Sequence, residues 1–271
     1  MAAERFRYDG KRVLVVGGAS GMGAATAQAA AALGAEVVVM DVAEVKYPVR
    51  QAIRVDLRDR ASVDAAIAQV AAPIHALFCC AGVADGTRGL MLINFIAQRH
   101  IVDTLLERGV LGAGAAIAMI SSVAGMGWEK NVPALLQFLE LGDWQAQADW
   151  IAANPQSESY AFSKQLINCF IARQAMALAC RGMRINGILP GPTDTPLARA
   201  NADVWLSFGA GYREAIGRGP MTSEEMADAL LFLCSDAARG ISGITLLIDA
   251  GHISSAFTGS WQDPMLAQLF A

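Results

Sequence analysis

The sequence predicts one α/β domain built on a doubly wound, seven-stranded parallel sheet. Short β-branched and apolar runs alternate along the chain with Ala-rich helical stretches, a pattern typical of a parallel sheet covered by helices on both faces. The 271 residues suffice for one large core, and no repeat, low-complexity tract or linker divides them. We therefore expect a single domain over residues 1–271.

Seven apolar runs are predicted as strands, and they lie at 12–17, 36–41, 52–56, 76–82, 115–121, 184–191 and 244–249. Helices are predicted between them at about 22–33, 60–71, 88–108, 158–181 and 223–235. Two segments, 126–157 and 192–221, break this alternation, and we expect both to extend over one edge of the sheet.

Charge and cysteine content exclude several classes of partner. A net charge of -4 without any Lys/Arg-rich run argues against nucleic acid. The cysteines are an odd number in apolar segments, at Cys79, Cys80, Cys169, Cys180 and Cys234, and no signal core precedes the first strand. We expect reduced thiols, no metal and a cytoplasmic protein. The uncharged run 109–128 is interpreted as a buried strand with flanking loops, since its glycines disfavour a membrane span.

A glycine-rich turn, GGASGMG, follows the first strand and contains Gly17, Ser20, Gly21, Met22 and Gly23. Glycines there let the backbone approach a pyrophosphate, and the N-terminus of the following helix supplies amide donors. The alternative is a tight strand-to-helix turn without a ligand.

Asp41 ends the second strand and bears on the choice of cofactor. A carboxylate at this place accepts hydrogen bonds from both ribose hydroxyls and repels the extra phosphate of NADP, so NAD is expected. The alternative is an Asp that merely ends a strand at the surface. Asp56 and Leu57 follow the third strand, where an adenine ring could rest. Cys80, Ala81 and Gly82 end the fourth strand at the point where the strand order reverses.

The stretch SESYAFSK places Tyr160 four residues before Lys164, on one face of a predicted helix. Taken alone, the pair could be an exposed Tyr and an exposed Lys on a helix, without a catalytic role. Together with GGASGMG, CCAG, the Asn of LINFIA, ISSVAG and LPGPTDTP, however, the chain resembles the short-chain dehydrogenase/reductase family along nearly its whole length. The resemblance implies a Rossmann fold and a catalytic tetrad of Asn94, Ser122, Tyr160 and Lys164.

The roles implied by the family are chemically consistent. Tyr160 is the acid/base for the alcohol proton, and a neighbouring ammonium together with an oxidised nicotinamide is expected to lower the pKa of its phenol. Lys164 also holds the nicotinamide ribose, Ser122 hydrogen-bonds the substrate oxygen, and Asn94 binds a water that links Lys164 to solvent. The resemblance further assigns cofactor-orienting positions at Pro190, Gly191, Thr193 and Thr195.

Two positions depart from the family pattern. Gly17 stands where the family usually has Thr, and Cys80 where it usually has Asn. Side-chain hydrogen bonds that brace the nucleotide loop are therefore expected to be absent, although neither position touches the reacting atoms.

A long insertion separates Ser122 from Tyr160, which are 38 positions apart. Short amphipathic helices are predicted at about 135–141 and 144–152, with Trp144 and Trp150 filling a small satellite core. An insertion at this position resembles the bacterial 3α-hydroxysteroid dehydrogenase/carbonyl reductase subgroup. That resemblance implies NAD-linked interconversion of a secondary alcohol and its ketone on a bulky apolar skeleton, steroid-like or terpenoid-like.

The expected substrate mouth is apolar and lies partly in a predicted lid at 192–221. Its candidate residues are large and apolar: Met126, Trp128, Leu197, Trp205, Phe208, Tyr212 and Met221. The alternatives are a reductase or dehydrogenase of another substrate class (quinone, diol or fatty-acyl ketone) and a non-catalytic NAD(H)-sensing protein. We expect a homo-oligomer, dimer or tetramer, because family members commonly pair through the helices at 88–108 and 158–181.

Overall fold

The structure is a computed structural model that describes residues 3–263 and residue 266. One parallel sheet of seven strands runs through it in the order β3-β2-β1-β4-β5-β6-β7. The strands are β1 Arg12–Val16, β2 Glu36–Asp41, β3 Gln51–Arg54, β4 Ile74–Cys79, β5 Leu111–Ile120, β6 Arg184–Pro190 and β7 Thr245–Ile248. This confirms the predicted single-domain, doubly wound sheet, and the strand order reverses between β1 and β4.

Helices cover both faces of the sheet. They are α1 Gly21–Ala32, α2 Arg60–Ala68, α3 Ala97–Glu107, α4 Val132–Leu139, α5 Trp144–Ala153, α6 Tyr160–Ala179, α7 Pro196–Arg199, α8 Ala202–Trp205, α9 Ala210–Ala215, α10 Ser223–Cys234 and α11 His252–Phe257. A single π-helical turn, Leu92–Ile96, leads directly into α3. The helical insertion before Tyr160 is confirmed as α4 and α5.

Side chains of alternate strand residues build a core on each face of the sheet. In β1, Leu14 and Val16 pack into one core and Val13 and Val15 into the other, all fully buried. Burial of each such side chain stabilises the fold by roughly 1.5–3 kcal/mol. Residues buried on both sides explain why this strand reads as a continuous apolar run rather than an alternating one.

The insertion does not form a core of its own, so the expected satellite core is wrong. Leu135, Phe138 and Trp144 belong to the same buried cluster as one face of the sheet, and Trp150 packs against it. Phe138 connects the two, since its ring centroid lies 6.1 Å from that of Phe95 in the π turn. Because α4 lies on α6, its apolar face is continuous with the main core.

The segments at 109–128 and 192–221 differ in their secondary structure. The first contains β5, and within the described residues no helix is long and apolar enough to span a bilayer. The second contains the short helices α7, α8 and α9.

Met221 does not line a mouth as expected: it is 6% exposed and belongs to the core. Its backbone is held by the segment after β6, since its N–H donates to Pro192 and its carbonyl accepts from Asp194.

Candidate active site

The ends of β4 and β5 and the start of α6 bring the four predicted catalytic residues together. Ser122 follows β5, and Asn94 lies in the π turn after β4. The side chain of Ser159 accepts the N–H of Phe162 at 3.2 Å and caps α6, so this helix begins at Tyr160. Asp85 accepts the N–H of Tyr160 at 2.7 Å and fixes the helix start against the loop after β4.

Lys164 carries its amino group into the interior. The residue is 2% exposed, and Nζ donates to the carbonyl oxygen of Ile120 at 2.8 Å. Nζ also lies 5.3 Å from the centroid of the Tyr160 ring. Burial disfavours the charged form and lowers the pKa of Lys164 to about 8.

In the protein alone, the phenol of Tyr160 has a pKa above its ordinary value, while the expected lowering depends on an oxidised nicotinamide as well as on Lys164. Burial raises its pKa to about 12, a hydrogen bond with Ser122 lowers it, and the carboxylate of Asp85 raises it further. Desolvation therefore outweighs the favourable contacts that the protein itself makes with a phenolate. Proximity of an ammonium is not sufficient to activate this tyrosine.

Asn94 is fully buried and its side chain is occupied by protein partners. Oδ1 accepts the N–H of Val83 at 2.8 Å, while Nδ2 donates to the Val83 carbonyl at 3.1 Å and to Ser163 Oγ at 3.2 Å. A Cβ added at Gly82 would lie 3.7 Å from Lys164 Nζ and 3.8 Å from Asn94 Oδ1. The end of β4, Asn94 and Lys164 thus meet at one point.

The glycine-rich turn fits a pyrophosphate. Gly17 has φ +81, and a Cβ there would lie 2.5 Å from the Ala81 backbone, while one at Gly23 would lie 2.0 Å from the Gly17 carbonyl oxygen. Ser20 precedes α1 but makes no side-chain capping bond, which leaves first-turn amides available to an anion. Gly21 faces the side chain of Thr195, with 3.6 Å between an added Cβ and Thr195 Cβ.

Asp41 and Tyr47 brace this turn, although Gly17 has no side chain with which to do so. Asp41 Oδ2 accepts the N–H of Ala19 at 2.8 Å, and Oδ1 accepts that of Ala43 at 2.9 Å. The hydroxyl of Tyr47, from the loop between β2 and β3, donates to the carbonyl of Gly18. Each Asp41 oxygen retains a lone pair, so the carboxylate can still accept from a ribose hydroxyl.

The other residues expected at the cofactor are placed as follows. Asp56 is paired with Arg58 at 2.7 Å, and Leu57 is buried in the core. Thr193 Oγ1 donates to the Gly191 carbonyl at 2.9 Å, and Thr195 Oγ1 accepts the Ala198 N–H at 3.0 Å at the start of α7. Ala81 and Gly82 form the turn after β4, Met22 lies in the first turn of α1, and Pro190 ends β6 beside Ile248.

The thiol of Cys80 is buried, which raises its pKa to about 12 and keeps it protonated. The structure therefore presents it as a packing group beside Gly23, where an added Cβ would lie 3.1 Å from Cys80 Cβ. Within residues 3–263 and 266, no cluster of three or more His, Cys, Asp or Glu side chains could hold a metal ion.

The expected substrate residues do not form one group. The ring centroid of Trp205 lies 4.9 Å from that of Tyr160. Phe208 and Tyr212 instead pack on His252, at 5.2 and 5.0 Å between centroids, and the Tyr212 hydroxyl donates to the Ala250 carbonyl. Three further members, Met126, Trp128 and Leu197, are half-buried.

Three polar residues at the site were not identified from the sequence: Asp85, Tyr47 and Gln98. Asp85 and Tyr47 lie in loops whose course no local pattern defines. Gln98 follows Asn94 by four residues, the spacing that places two side chains on one helical face, and this signal could have identified it.

Two family models match the chain. The model for short chain dehydrogenases matches residues 11–134, and the model described as enoyl-(acyl carrier protein) reductase matches residues 148–252. Cis-4-hydroxycyclohexanecarboxylate dehydrogenase of Sinomonas cyclohexanicum is 35% identical over 89% of this chain and 96% of its own length. The chain therefore belongs to the short-chain dehydrogenase/reductase family.

Another relative falls in the predicted subgroup. The 3-alpha-hydroxysteroid dehydrogenase/carbonyl reductase of Comamonas testosteroni is 30% identical over 88% of this chain and 95% of its own. Membership of the family makes the protein an oxidoreductase that acts on alcohols with a nicotinamide cofactor.

Solved structures agree with this assignment. The 3-alpha-hydroxysteroid dehydrogenase of Pseudomonas sp. B-0831, complexed with NADH, is similar with a TM-score of 0.75 at 26% identity, covering 93% of this chain and 100% of that one. A short-chain dehydrogenase of Burkholderia cenocepacia J2315 in complex with NADP gives a TM-score of 0.67 at 25% identity, covering 91% and 99%. Relatives of this fold thus differ in the cofactor they bind.

Proposed function

We propose that the protein is an NAD-dependent dehydrogenase that interconverts a bulky apolar secondary alcohol and its ketone. The observation that carries this proposal is the buried amino group of Lys164 beside the Tyr160 ring, with Asn94 and Ser122 at the same point and Trp205 over the phenol. A sensing protein could use Lys164 to hold the nicotinamide ribose, but it has no need of Tyr160 beside that amino group. This arrangement has a clear use in moving a proton.

The residues have distinct tasks in the proposed reaction. Tyr160 takes the hydroxyl proton of the alcohol during oxidation and returns it during reduction, and Ser122 hydrogen-bonds the same substrate oxygen. Lys164 holds the nicotinamide ribose and stabilises the phenolate. When bound, an oxidised nicotinamide supplies the hydride acceptor and a positive charge. The phenol requires such a charge, since the protein alone raises its pKa to about 12.

The preference for NAD rests on Asp41. Its carboxylate lies at the end of β2 and is held in place by the N–H groups of Ala19 and Ala43. A fixed negative charge accepts ribose hydroxyls and repels a phosphate on the same ribose. Gly17, Gly21 and the uncapped start of α1 support the pyrophosphate, and Thr193 and Thr195 lie across from them.

The proposed substrate is an alcohol on a ring skeleton. The two relatives described above are named for a hydroxycyclohexane carboxylate and a 3-alpha-hydroxysteroid, both of them ring alcohols. Half-buried Met126, Trp128, Leu197 and Trp205 give this chain apolar surface of the required kind. We further propose that the segment 192–221, with α7 to α9, orders over the bound substrate.

The experiment assays secondary alcohols and diols with NAD and with NADP, and quinones and fatty-acyl ketones with NADH and with NADPH. Steroid, terpene and cyclohexanol substrates are expected to react, with kcat/KM for NAD at least roughly tenfold above that for NADP. Equal efficiency with both cofactors contradicts the role of Asp41. Turnover confined to quinones, diols or fatty-acyl ketones assigns one of the other substrate classes, and NADH binding without any turnover assigns a sensing protein.

A further inference from the structure

Gln98 is a buried polar residue for which the reaction just proposed has no role. It lies in α3 immediately after the π turn and is 1% exposed. Its Nε2 lies 2.9 Å from the carbonyl oxygens of Ala81, Ile93 and Asn94. Its Oε1 is buried and has no partner within the described chain. An apolar side chain would fill this space without leaving a buried acceptor unsatisfied. The presence of an amide here is therefore explained by the hydrogen bonds that its N–H groups donate.

The three carbonyls belong to two separate elements. Ile93 and Asn94 lie in the π turn, and Ala81 lies in the turn after β4, so Gln98 ties the two together. Asn94 makes a second tie to the same turn through its two hydrogen bonds with Val83. Residues 81 and 83 are thus held from one side by Gln98 and Asn94.

Gly82 lies between these two anchored residues and faces the amino group of Lys164, 3.7 Å from an added Cβ. A shift of the turn after β4 would therefore change the surroundings of Lys164 and the reach of Asn94 together. Such a shift would also disturb the π turn. Each backbone hydrogen bond of this turn spans one residue more than those of the α-helix that follows it.

We propose that Gln98 is a positioning residue, whose side-chain amide locks the π turn that carries Asn94 onto the end of β4 and so holds Asn94 and Lys164 in their catalytic geometry. This inference rests on the proposed function. Gln98 itself touches neither substrate nor cofactor. It acts through the backbone of residues 81–83 and of Asn94.

The first test compares Gln98→Leu with Gln147→Leu. Gln147 is a matched control because it is also 1% exposed and donates through Nε2 to a carbonyl, that of Leu141, but within the insertion. Gln98→Leu is expected to lower kcat about 10- to 100-fold while the Kd for NADH stays within about threefold. Gln147→Leu is expected to keep kcat within about twofold. Equal losses in both variants, or an unchanged kcat in Gln98→Leu, overturn the proposal.

A second variant, Gln98→Glu, keeps the shape of the side chain and makes its donor depend on pH. A protonated carboxyl can donate to one of the carbonyls, whereas a carboxylate is repelled by all of them, and burial raises the pKa of such a group. The ratio of kcat in Gln98→Glu to that of the wild type is expected to fall as pH rises. A ratio that does not change with pH overturns the proposal, and this test stands even where Gln98→Leu fails to fold.

A readout without catalysis separates this inference from the proposed function. Hydrogen exchange is expected to become faster at 81–84 and 92–97 in Gln98→Leu and to stay unchanged there in Gln147→Leu. Unchanged protection in Gln98→Leu overturns the role of Gln98. Absence of turnover in the wild-type protein overturns the proposed function alone.

Discussion

The burial of Lys164 destabilises the folded protein, and the destabilisation can be measured. Its pKa in the folded protein is lowered by burial to about 8 from an ordinary 10.5. Between these values the unfolded chain binds more protons than the folded one, so stability rises with pH across this window. At pH values below this window, Lys164 is charged in both states, and burial of the ammonium lowers the free energy of unfolding by its full amount.

We therefore expect Lys164→Met to lose turnover and yet to be more stable than the wild type at neutral pH. The gain is expected to be roughly 1–3 kcal/mol, because an apolar side chain removes the buried charge at the cost of one hydrogen bond. The gain should shrink as pH rises through about 8 towards 10.5. Urea unfolding at several pH values measures it, and a variant that is destabilised to the same extent at every pH contradicts the expectation.

Asp85 offers a second measurement at this scale, because its carboxylate raises the pKa of Tyr160 while accepting that residue's N–H. Asp85→Asn keeps the acceptor and removes the charge, so the pKa of Tyr160 falls. Alcohol oxidation needs the phenolate, and its rate rises with pH. The rising limb of kcat against pH is therefore expected to move to lower pH. Glu158→Gln, a neighbouring exposed carboxylate, is the control and should leave the limb in place. A limb that stays fixed in Asp85→Asn argues against this electrostatic coupling.

Among the elements, the insertion helices α4 and α5 support the start of α6. The ring of Phe138 meets those of Trp150 and Phe162 edge to face at 5.2 and 5.9 Å, and Trp150 stacks on Phe162 at 6.1 Å. Phe162 lies between Tyr160 and Lys164 in sequence. The insertion thus packs directly against the helical turn that carries both catalytic side chains.

Phe138→Ala is expected to lower the free energy of unfolding by about 3–5 kcal/mol, since the ring is fully buried. Phe6→Ala, where the ring is 48% exposed and stacks on Phe232, serves as the control and should lose less than half as much. Chemical denaturation of both variants gives the comparison. Equal losses would show that the insertion is a peripheral addition.

The loop between β2 and β3 makes a separate contribution through Tyr47, whose hydroxyl donates to Gly18 in the nucleotide turn. Tyr47→Phe is expected to raise the Kd for NADH about 3- to 10-fold with kcat unchanged, because one bracing hydrogen bond is lost. Tyr8→Phe is a matched control, since the Tyr8 hydroxyl donates to the Leu231 carbonyl at 2.7 Å away from this turn. Fluorescence titration with NADH distinguishes them, and equal affinities for Tyr47→Phe and wild type exclude the brace.

At the scale of the whole molecule, the alternation of apolar runs and helical stretches was sufficient to predict the sheet. Each buried strand had to be continuously apolar, and each crossover had to hold a helix. The nucleotide turn was also predictable, because it follows the first strand directly, whereas the tetrad was implied by the family resemblance and stays a prediction. The alternation and the nucleotide turn are local properties of the sequence.

Other features depend on contacts between distant segments and could not be predicted. The satellite core merged with the main core because α4 lies on α6, and Met221 is buried because its backbone pairs beside Thr193. The pKa of Tyr160 depends on its burial, which no local pattern reports. Gln98 forms its bonds partly with Ala81, 17 residues earlier in the chain.

Assembly is a further property of the whole molecule, and we propose a homo-oligomer that pairs through α3 and α6. Met176, on α6, is 79% exposed and therefore offers a position on this helix at which to test the pairing. Light scattering is expected to give the mass of a dimer or tetramer, and Met176→Glu to lower it. A monomer mass for the wild type rules the assembly out.

The proposed role of Tyr160 is tested most directly by Tyr160→Phe, which removes one hydroxyl and keeps the ring against Trp205. Single-turnover oxidation of a reactive alcohol should fall by at least about 1000-fold, because the proton acceptor is lost. The Kd for NADH should stay within about twofold, since the glycine turn and Asp41 are untouched. A Tyr160→Phe variant that oxidises the alcohol at the wild-type rate contradicts the mechanism.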